Sequence, residues 1–123
     1  MIEHELGGMF DVTHGAGLTA IWGSWARYVH SSCLPRFEKF AIRVMGVDPG
    51  DGQEETAMRG ILALEKYFHS LGLPTSLAEL GVFPTEEQIV QMARSAAAGA
   101  GGGKGSAMFL REPDIAEIYR RAR

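Results

Sequence analysis

The sequence predicts an all-α fold, a bundle of five or six helices around one core. Three observations lead there. Apolar residues recur at spacings of three and four in several long segments. Helix start and stop signals bracket those segments. No stretch alternates apolar and polar residues long enough for a confident strand. A chain of 123 residues with 46% hydrophobic content fits one globular domain with a real core.

Each element follows from its own residues. From His14 to Ser31, Leu18, Ile21, Trp22, Trp25 and Val29 repeat at helical spacing. Leu34-Pro35 opens the next helix, with proline in its first turn. Phe37, Phe40, Ala41, Val44 and Met45 give it one apolar face, and Gly46 ends it. Residues 47–52 form a turn-rich loop, after which Asp51 and Glu54 have capping-box spacing. Ala57, Ile61, Leu64, Phe68 and Leu71 then make a stripe too apolar to leave in water. Gly72-Leu73-Pro74 stops that helix.

Shorter pieces follow. Ser76 to Glu79 reads as a capping box for a single turn closed by Gly81. Thr85 to Gln88 is another box, opening a helix with Ile89, Met92, Ala93 and Ala96 on one face. Ala97 to Gly105 is rich in glycine and alanine and is expected to be a loop. Pro113 suits the first turn of a last helix carrying Ile115, Ile118, Tyr119 and Ala122.

Composition excludes several function classes. A net charge of −3 gives no reason to expect nucleic acid or an anionic membrane as partner. No apolar run approaches the ~20 residues needed to span a bilayer. The start, Met1-Ile2-Glu3-His4-Glu5, is too acidic for a secretory signal. Cys33 is the only cysteine, so neither an intrachain disulfide nor a cysteine-based zinc cluster can form, and Cys33 reads as a buried or loop thiol. A reducing cytoplasm is the simplest compartment.

Two histidines carry the chemical signal. His4 and His14 frame a short segment, and His14 is followed by Gly15-Ala16-Gly17 at the start of an apolar helix. Glycines there let another backbone or a ligand approach closely. Neutral imidazole is a common metal ligand and a frequent acid or base near pH 7. Taken alone, the pair reads more readily as one packed and one capping histidine, since two histidines do not complete a four-ligand site. Asp11 could cap or orient a neighbour. His30 and His69 sit near helix C-termini and read as surface or capping residues. Trp22 and Trp25 share one face and read as core, or as one wall of a substrate cleft. Gly101 to Ser106 only imitates a phosphate-binding loop. Gly105 follows Lys104 where Ser or Thr belongs, and no strand precedes.

The run from Met1 to about Tyr28 resembles the signature of the iron-containing alcohol dehydrogenases. It most resembles their NADPH-dependent, butanol dehydrogenase-like branch. The family pattern is His-x-x-x-His, nine residues, then His-Gly at a helix start. Its second and third histidines correspond to His4 and His14, and its first would fall one position before Met1. The resemblance continues through Lys39-Phe40-Ala41, Val44 to Val47, Leu71 to Pro74 and Asp114 to Tyr119.

The resemblance implies the helical C-terminal domain of a much longer enzyme, with residues 1–123 on the metal and substrate side. It implies His14 as a metal ligand and His4 as a catalytic group near the nicotinamide, for proton relay or cofactor positioning. The intact enzyme would use a divalent metal, iron or zinc, with NADP or NAD, on a small alcohol or aldehyde. The isolated fragment is expected to be inactive, with no site for NAD(P) and at most weak, adventitious metal at His14. A helical association module that no longer catalyses is the alternative. A homo-oligomer is expected in either case, through an apolar cleft face near Met9, Phe10, Leu18 and Trp22.

Overall fold

A computed structural model describes residues 5, 8–10, 13–98, 103–104 and 110–123. Among the described residues, six α-helices from His14 onward form the bundle. They are α1 (His14–Val29), α2 (Leu34–Lys39), α3 (Gln53–Ser70), α4 (Leu77–Leu80), α5 (Glu86–Ala98) and α6 (Glu112–Ala122). The all-α expectation holds, with one small departure. Gly103–Lys104 (β1) and Leu110–Arg111 (β2) pair antiparallel, Gly103 opposite Arg111 and Lys104 opposite Leu110. The segment expected as a loop from Ala97 also begins late, because α5 runs through Ala98. Alanine is the best helix former, so Ala96-Ala97-Ala98 extends the helix instead of breaking it. Among the described residues no helix is long and apolar enough to cross a membrane.

The core lies where α1 meets α3, α4 and α6, and where α5 meets α6. Val29, Ile61, Leu77, Ile89, Met92, Ile115, Ile118 and Tyr119 are all buried there. On α1, Ile21 and Val29 are buried, whereas Trp22 and Trp25 are half-buried. Trp22 packs between Phe40 and Phe68, with ring centroids 6.0 and 6.1 Å away, and Trp25 lies 6.2 Å from Phe37. The tilted and edge-on arrangements suit aromatic quadrupoles.

Two polar contacts tie α1 to α6. Ser24 Oγ donates to the Ile118 carbonyl at 2.6 Å, and Tyr28 donates to Asp114 Oδ1 at 2.6 Å. That bond to Asp114, followed by desolvation, raises the Tyr28 pKa. On the other flank Arg27 forms a two-pronged ion pair with Glu65 of α3.

α2 departs from the expected apolar face. It passes into a π-helical turn over Phe40–Val44, closed by Met45 N–H donating to the Phe40 carbonyl at 3.1 Å. A π turn holds more residues than an α turn, so each later side chain rotates away from its α-helical position. Ala41 stays buried, but Val44 is 71% exposed. Gly46 ends the segment at φ +68, as its sequence position suggests.

The start of α3 also differs from the Asp51/Glu54 expectation. Gly52 is the N-cap, and its carbonyl accepts from Thr56 N–H at 3.1 Å and from Thr56 Oγ1 at 2.9 Å. Gly50 N–H donates to Thr56 Oγ1 at 2.9 Å, and Asp51 N–H donates to Glu55. The buried Thr56 hydroxyl fixes the turn, so the cap falls one residue later than the local spacing implies. The α3 stripe is buried only in its first half. Ala57 and Ile61 are buried, Leu64 and Phe68 half-buried, and Leu71 is 56% exposed.

The other caps form where the sequence put them. Glu79 N–H donates to Ser76 Oγ at 3.1 Å, and Gly81 closes α4 at φ +87. Thr85 and Gln88 complete a reciprocal box, each backbone N–H donating to the other's side chain at 2.9 and 3.1 Å. Arg111 N–H donates to Asp114 Oδ2 at 2.9 Å ahead of Pro113.

Gly60 fixes how closely α3 approaches the π turn. A Cβ added there would lie 2.5 Å from Ala41 Cβ and 2.8 Å from Ala41 Cα. Backbone atoms cannot give way as a flexible side chain can. Gly60→Ala is therefore expected to destabilise by about 1–3 kcal/mol, less up to about 1 kcal/mol of helix-propensity gain. Ala41→Gly in the same background should recover part of the loss. Urea unfolding of the single and double variants measures this, and a Gly60→Ala protein more stable than its parent would contradict the close approach.

Glu79 clasps the turn between α3 and α4. Its Oε1 accepts from Thr75 N–H at 2.8 Å, stands 3.0 Å from His69 Nε2 and accepts from Thr75 Oγ1 at 3.1 Å. The Thr75 N–H bond first, then His69, lowers its pKa from 4.5 to about 2. A depressed carboxyl pKa stabilises above the unfolded value and loses that contribution as pH falls through the folded one. Glu79→Gln should therefore lower the melting temperature at pH 7, and the gap should narrow steadily between pH 5 and pH 2. Melting curves of both proteins across that range check it, and a gap that widens on acidification contradicts it.

Candidate functional site

His14 is the first residue of α1. Thr13 precedes it in extended backbone, at φ −69 and ψ 148, and the Thr13 carbonyl accepts from Gly17 N–H at 2.9 Å. This first helical bond holds the backbone at His14 in a defined place. A Cβ on Gly15 would meet nothing within 4 Å. Among the described residues no packing contact requires glycine there. His4, read as a catalytic group, lies outside the described residues, as does Asp11.

Metal-binding capacity can be tested on the remaining donors. Among the described residues no group of three or more His, Cys, Asp or Glu side chains could hold a metal ion. A structural or catalytic site needs three or four protein ligands. The described residues therefore do not make a metal site by themselves, and a metal at His14 would require donors from elsewhere.

The other histidines separate into two environments. His69 is exposed and belongs to the Glu79 clasp. His30 caps α1 but is not a surface residue, being 6% exposed. Its Nδ1 donates to the Arg27 carbonyl at 2.8 Å, and its ring meets Phe37 edge-on at 6.3 Å. Its buried Nε2 has no hydrogen-bond partner among the described residues, and Glu54 Oε1 stands 3.7 Å away. That separation exceeds hydrogen-bond reach. Nothing in the local sequence around His30 signals this environment, because Phe37 and Glu54 arrive from other helices. Cys33 is half-buried, its Sγ 3.7 Å from the Val29 carbonyl, as a loop thiol should be.

The apolar face expected near Met9, Phe10, Leu18 and Trp22 is not an open one. Met9, Phe10 and Trp22 pack half-buried against the core, and Leu18 is half-buried. The exposed large apolar side chains lie elsewhere, including Val44, Tyr67, Leu71 and Phe83. The bundle accommodates the aromatic end of α1 by stacking it on Phe40 and Phe68. A groove on α5, lined by Glu86, Glu87, Val90, Gln91 and Arg94, contains no residue of α1.

Comparison with known proteins agrees with this architecture. The chain is 33% identical over 122 residues to NADH-dependent butanol dehydrogenase A of Clostridium acetobutylicum, covering 98% of this chain and 31% of that protein. It is 30% identical over 124 residues to a 1,3-propanediol dehydrogenase of Klebsiella pneumoniae, covering 98% and 30%. The crystal structure of NADH-dependent butanol dehydrogenase A from Thermotoga maritima superposes with a TM-score of 0.84 at 32% identity, covering 98% of this chain and 31% of that one. An aldehyde reductase from E. coli shares the fold, with a TM-score of 0.87 at 21% identity over 99% of this chain and 31% of that one. The chain thus spans under a third of the length of these relatives. The model of the C-terminal part of the Fe-containing alcohol dehydrogenase family matches residues 1–123, and the chain belongs to that family.

Proposed function

We propose that this chain is the C-terminal, metal- and substrate-side part of a metal-dependent, NAD(P)-linked alcohol dehydrogenase or aldehyde reductase. His14 is its contribution to the metal site, and His4 is a catalytic group beside the nicotinamide. The observation that carries this reading is the His14-Gly15 step at the first position of α1, in a chain matched along its whole length by the family model. Butanol and propanediol in the names of relatives support a small alcohol or aldehyde as substrate. NADH in the names of the butanol dehydrogenases supports NAD, while the resemblance of the N-terminal run supports NADP.

A divalent metal, iron or zinc, would supply Lewis-acid polarisation of the alcohol or aldehyde oxygen. The described residues lack a ligand set for it, so the role read for them here is positional. α1 fixes the backbone at His14 through the Thr13–Gly17 bond. The open side at Gly15 leaves room for the groups that complete the site.

The test is a pair of substitutions in an intact enzyme carrying this sequence as its C-terminal part. His14→Ala should remove most bound metal and leave the helical signal largely intact. His4→Ala should keep the metal and lower kcat by about 10²–10⁴, the range of acid–base and positioning groups. Metal content by elemental analysis and turnover with butanal are the readouts. A His14→Ala enzyme with full metal and activity would sink the assignment. The isolated 123-residue chain should show no NAD(P)H-dependent aldehyde reduction above background, and measurable turnover would overturn the proposal that the chain is one part of an enzyme.

A further inference from the structure

His30 is a buried titratable side chain that the proposed function leaves unused. It follows the last residue of α1 and opens a 3₁₀ turn over His30–Ser32, at the opposite end of α1 from His14. Its Nδ1 lies 2.8 Å from the Arg27 carbonyl. A carbonyl oxygen only accepts, so in the neutral ring Nδ1 carries the proton and Nε2 is a bare acceptor. That Nε2 is buried and has no hydrogen-bond partner among the described residues, and the acid facing it is Glu54, with Oε1 at 3.7 Å. Two acceptors therefore face each other, and one of them is sealed from the water that would otherwise satisfy it.

The 3₁₀ turn packs against α1, α2 and α3, and each brings its own groups. From α1 comes Arg27, whose guanidinium is already engaged by Glu65. From α2 comes the Phe37 ring, edge-on to His30 at 6.3 Å. Beside Phe37, Glu38 accepts from Gln53 Nε2 at 3.3 Å, while Arg36 and Lys39 are exposed. The Cys33 thiol at the start of α2 is turned to the Val29 carbonyl. From α3 comes Glu54, with Glu55 beyond it turned to Asp51 N–H and to Arg59. Glu54 is the second residue of α3, and its side chain is 74% exposed. An exposed side chain changes rotamer within nanoseconds, so the 3.7 Å gap is one that Glu54 can close.

We propose that His30 and Glu54 form a proton-operated latch between the end of α1 and the start of α3. A proton from solvent adds to the Nε2 lone pair, and no other covalent bond changes. The acceptor becomes a donor, Glu54 closes to hydrogen-bond distance, and the imidazolium is held at both nitrogens, by Glu54 and by the Arg27 carbonyl. The C-terminal end of α1 favours the same positive charge. With the ring neutral, lone pair and carboxylate repel, and Glu54 stays in solvent. Along the seam between α1 and α3, the latch joins the Arg27–Glu65 pair and the Trp22–Phe68 contact. Acid therefore fastens that seam at the end remote from His14. The latch goes beyond the proposed function and does not depend on it.

The sign of the pH dependence tests it. A histidine whose charged form gains a partner on folding contributes stability that is full at low pH and fades as pH rises. A buried histidine without a latch does the reverse, since it must charge against its burial. Melting temperatures of the 123-residue chain and of Glu54→Gln are compared between about pH 8 and pH 5.5, where histidines titrate and ordinary carboxylates stay charged. The His69–Glu79 pair is common to both proteins and drops out of the difference. The advantage of the parent over Glu54→Gln should grow by about 3 °C on acidification. In a His30→Asn background the same difference should not depend on pH. A difference that stays constant or shrinks with His30 in place overturns the latch. Should His30→Asn fail to fold, imidazole NMR of the parent and of Glu54→Gln decides. At about pH 5.5 the parent should carry an Nε2–H that exchanges with water at least tenfold more slowly than in Glu54→Gln. Equal exchange, or an unprotonated Nε2 in the folded parent, overturns it.

Discussion

The placement of α1 is the constraint on which the rest of the structure depends. It is gripped from two sides. On one side Ser24 and Tyr28 hydrogen-bond to Ile118 and Asp114 of α6. On the other, Arg27 pairs with Glu65 of α3 and Trp22 packs edge-on against Phe68. A buried neutral hydrogen bond contributes about 1 kcal/mol, and the apolar burial between the helices contributes more. The two kinds of contact do different work. Packing brings the helices together, and the four polar and aromatic contacts set how far α1 can slide along its axis. A slide of one turn would move His14 by about 5.4 Å, enough to destroy any shared site.

Most of the fold was legible because its signals are local. The Thr85–Gln88 box, the Ser76 cap, the glycines at 46, 72 and 81, and Pro35 and Pro113 each act within one turn of backbone. Their geometry follows from residue type and spacing alone. The misreadings share the opposite property. The π turn at Phe40–Val44 coexists with the approach of Gly60 to Ala41 from a helix far along the chain. The cap at Gly52 instead of Asp51 follows from a buried threonine, which only the packed structure reveals. The last turns of the α3 stripe follow the rule for an amphipathic face and still reach solvent, because no other element of the described bundle extends that far.

The site was legible to a smaller degree. Spacing and chemistry single out His14 as a helix-start histidine next to glycine, and the structure puts its backbone there. Those observations alone do not distinguish a ligand from a cap, and the resemblance, not the periodicity, supplied the metal. His30 shows the reverse case. Its position near a helix end suggested an ordinary capping residue, and half of its chemistry is that, with Nδ1 on the Arg27 carbonyl. The other nitrogen is buried without a hydrogen-bond partner among the described residues, and Phe37 and Glu54 beside it arrive from other helices, a tertiary effect with no local signature.

A bundle of this kind is suited to holding one donor of a shared site. A metal ligand must keep its place to within a fraction of an ångström, and donors on rigid elements do so better than donors on loops. The first residue of a long helix belongs to such an element, since the backbone there has left the extended approach at Thr13 and entered the hydrogen-bonded ladder at Gly17. The cost is that a helix start offers one side chain, not a cluster. Further donors on the same helix would have to lie three or four residues on, and those positions are Gly17 and Leu18. On the proposed reading α1 thus gives that end a single ligand. A metal site built on it would have to be completed by donors outside α1.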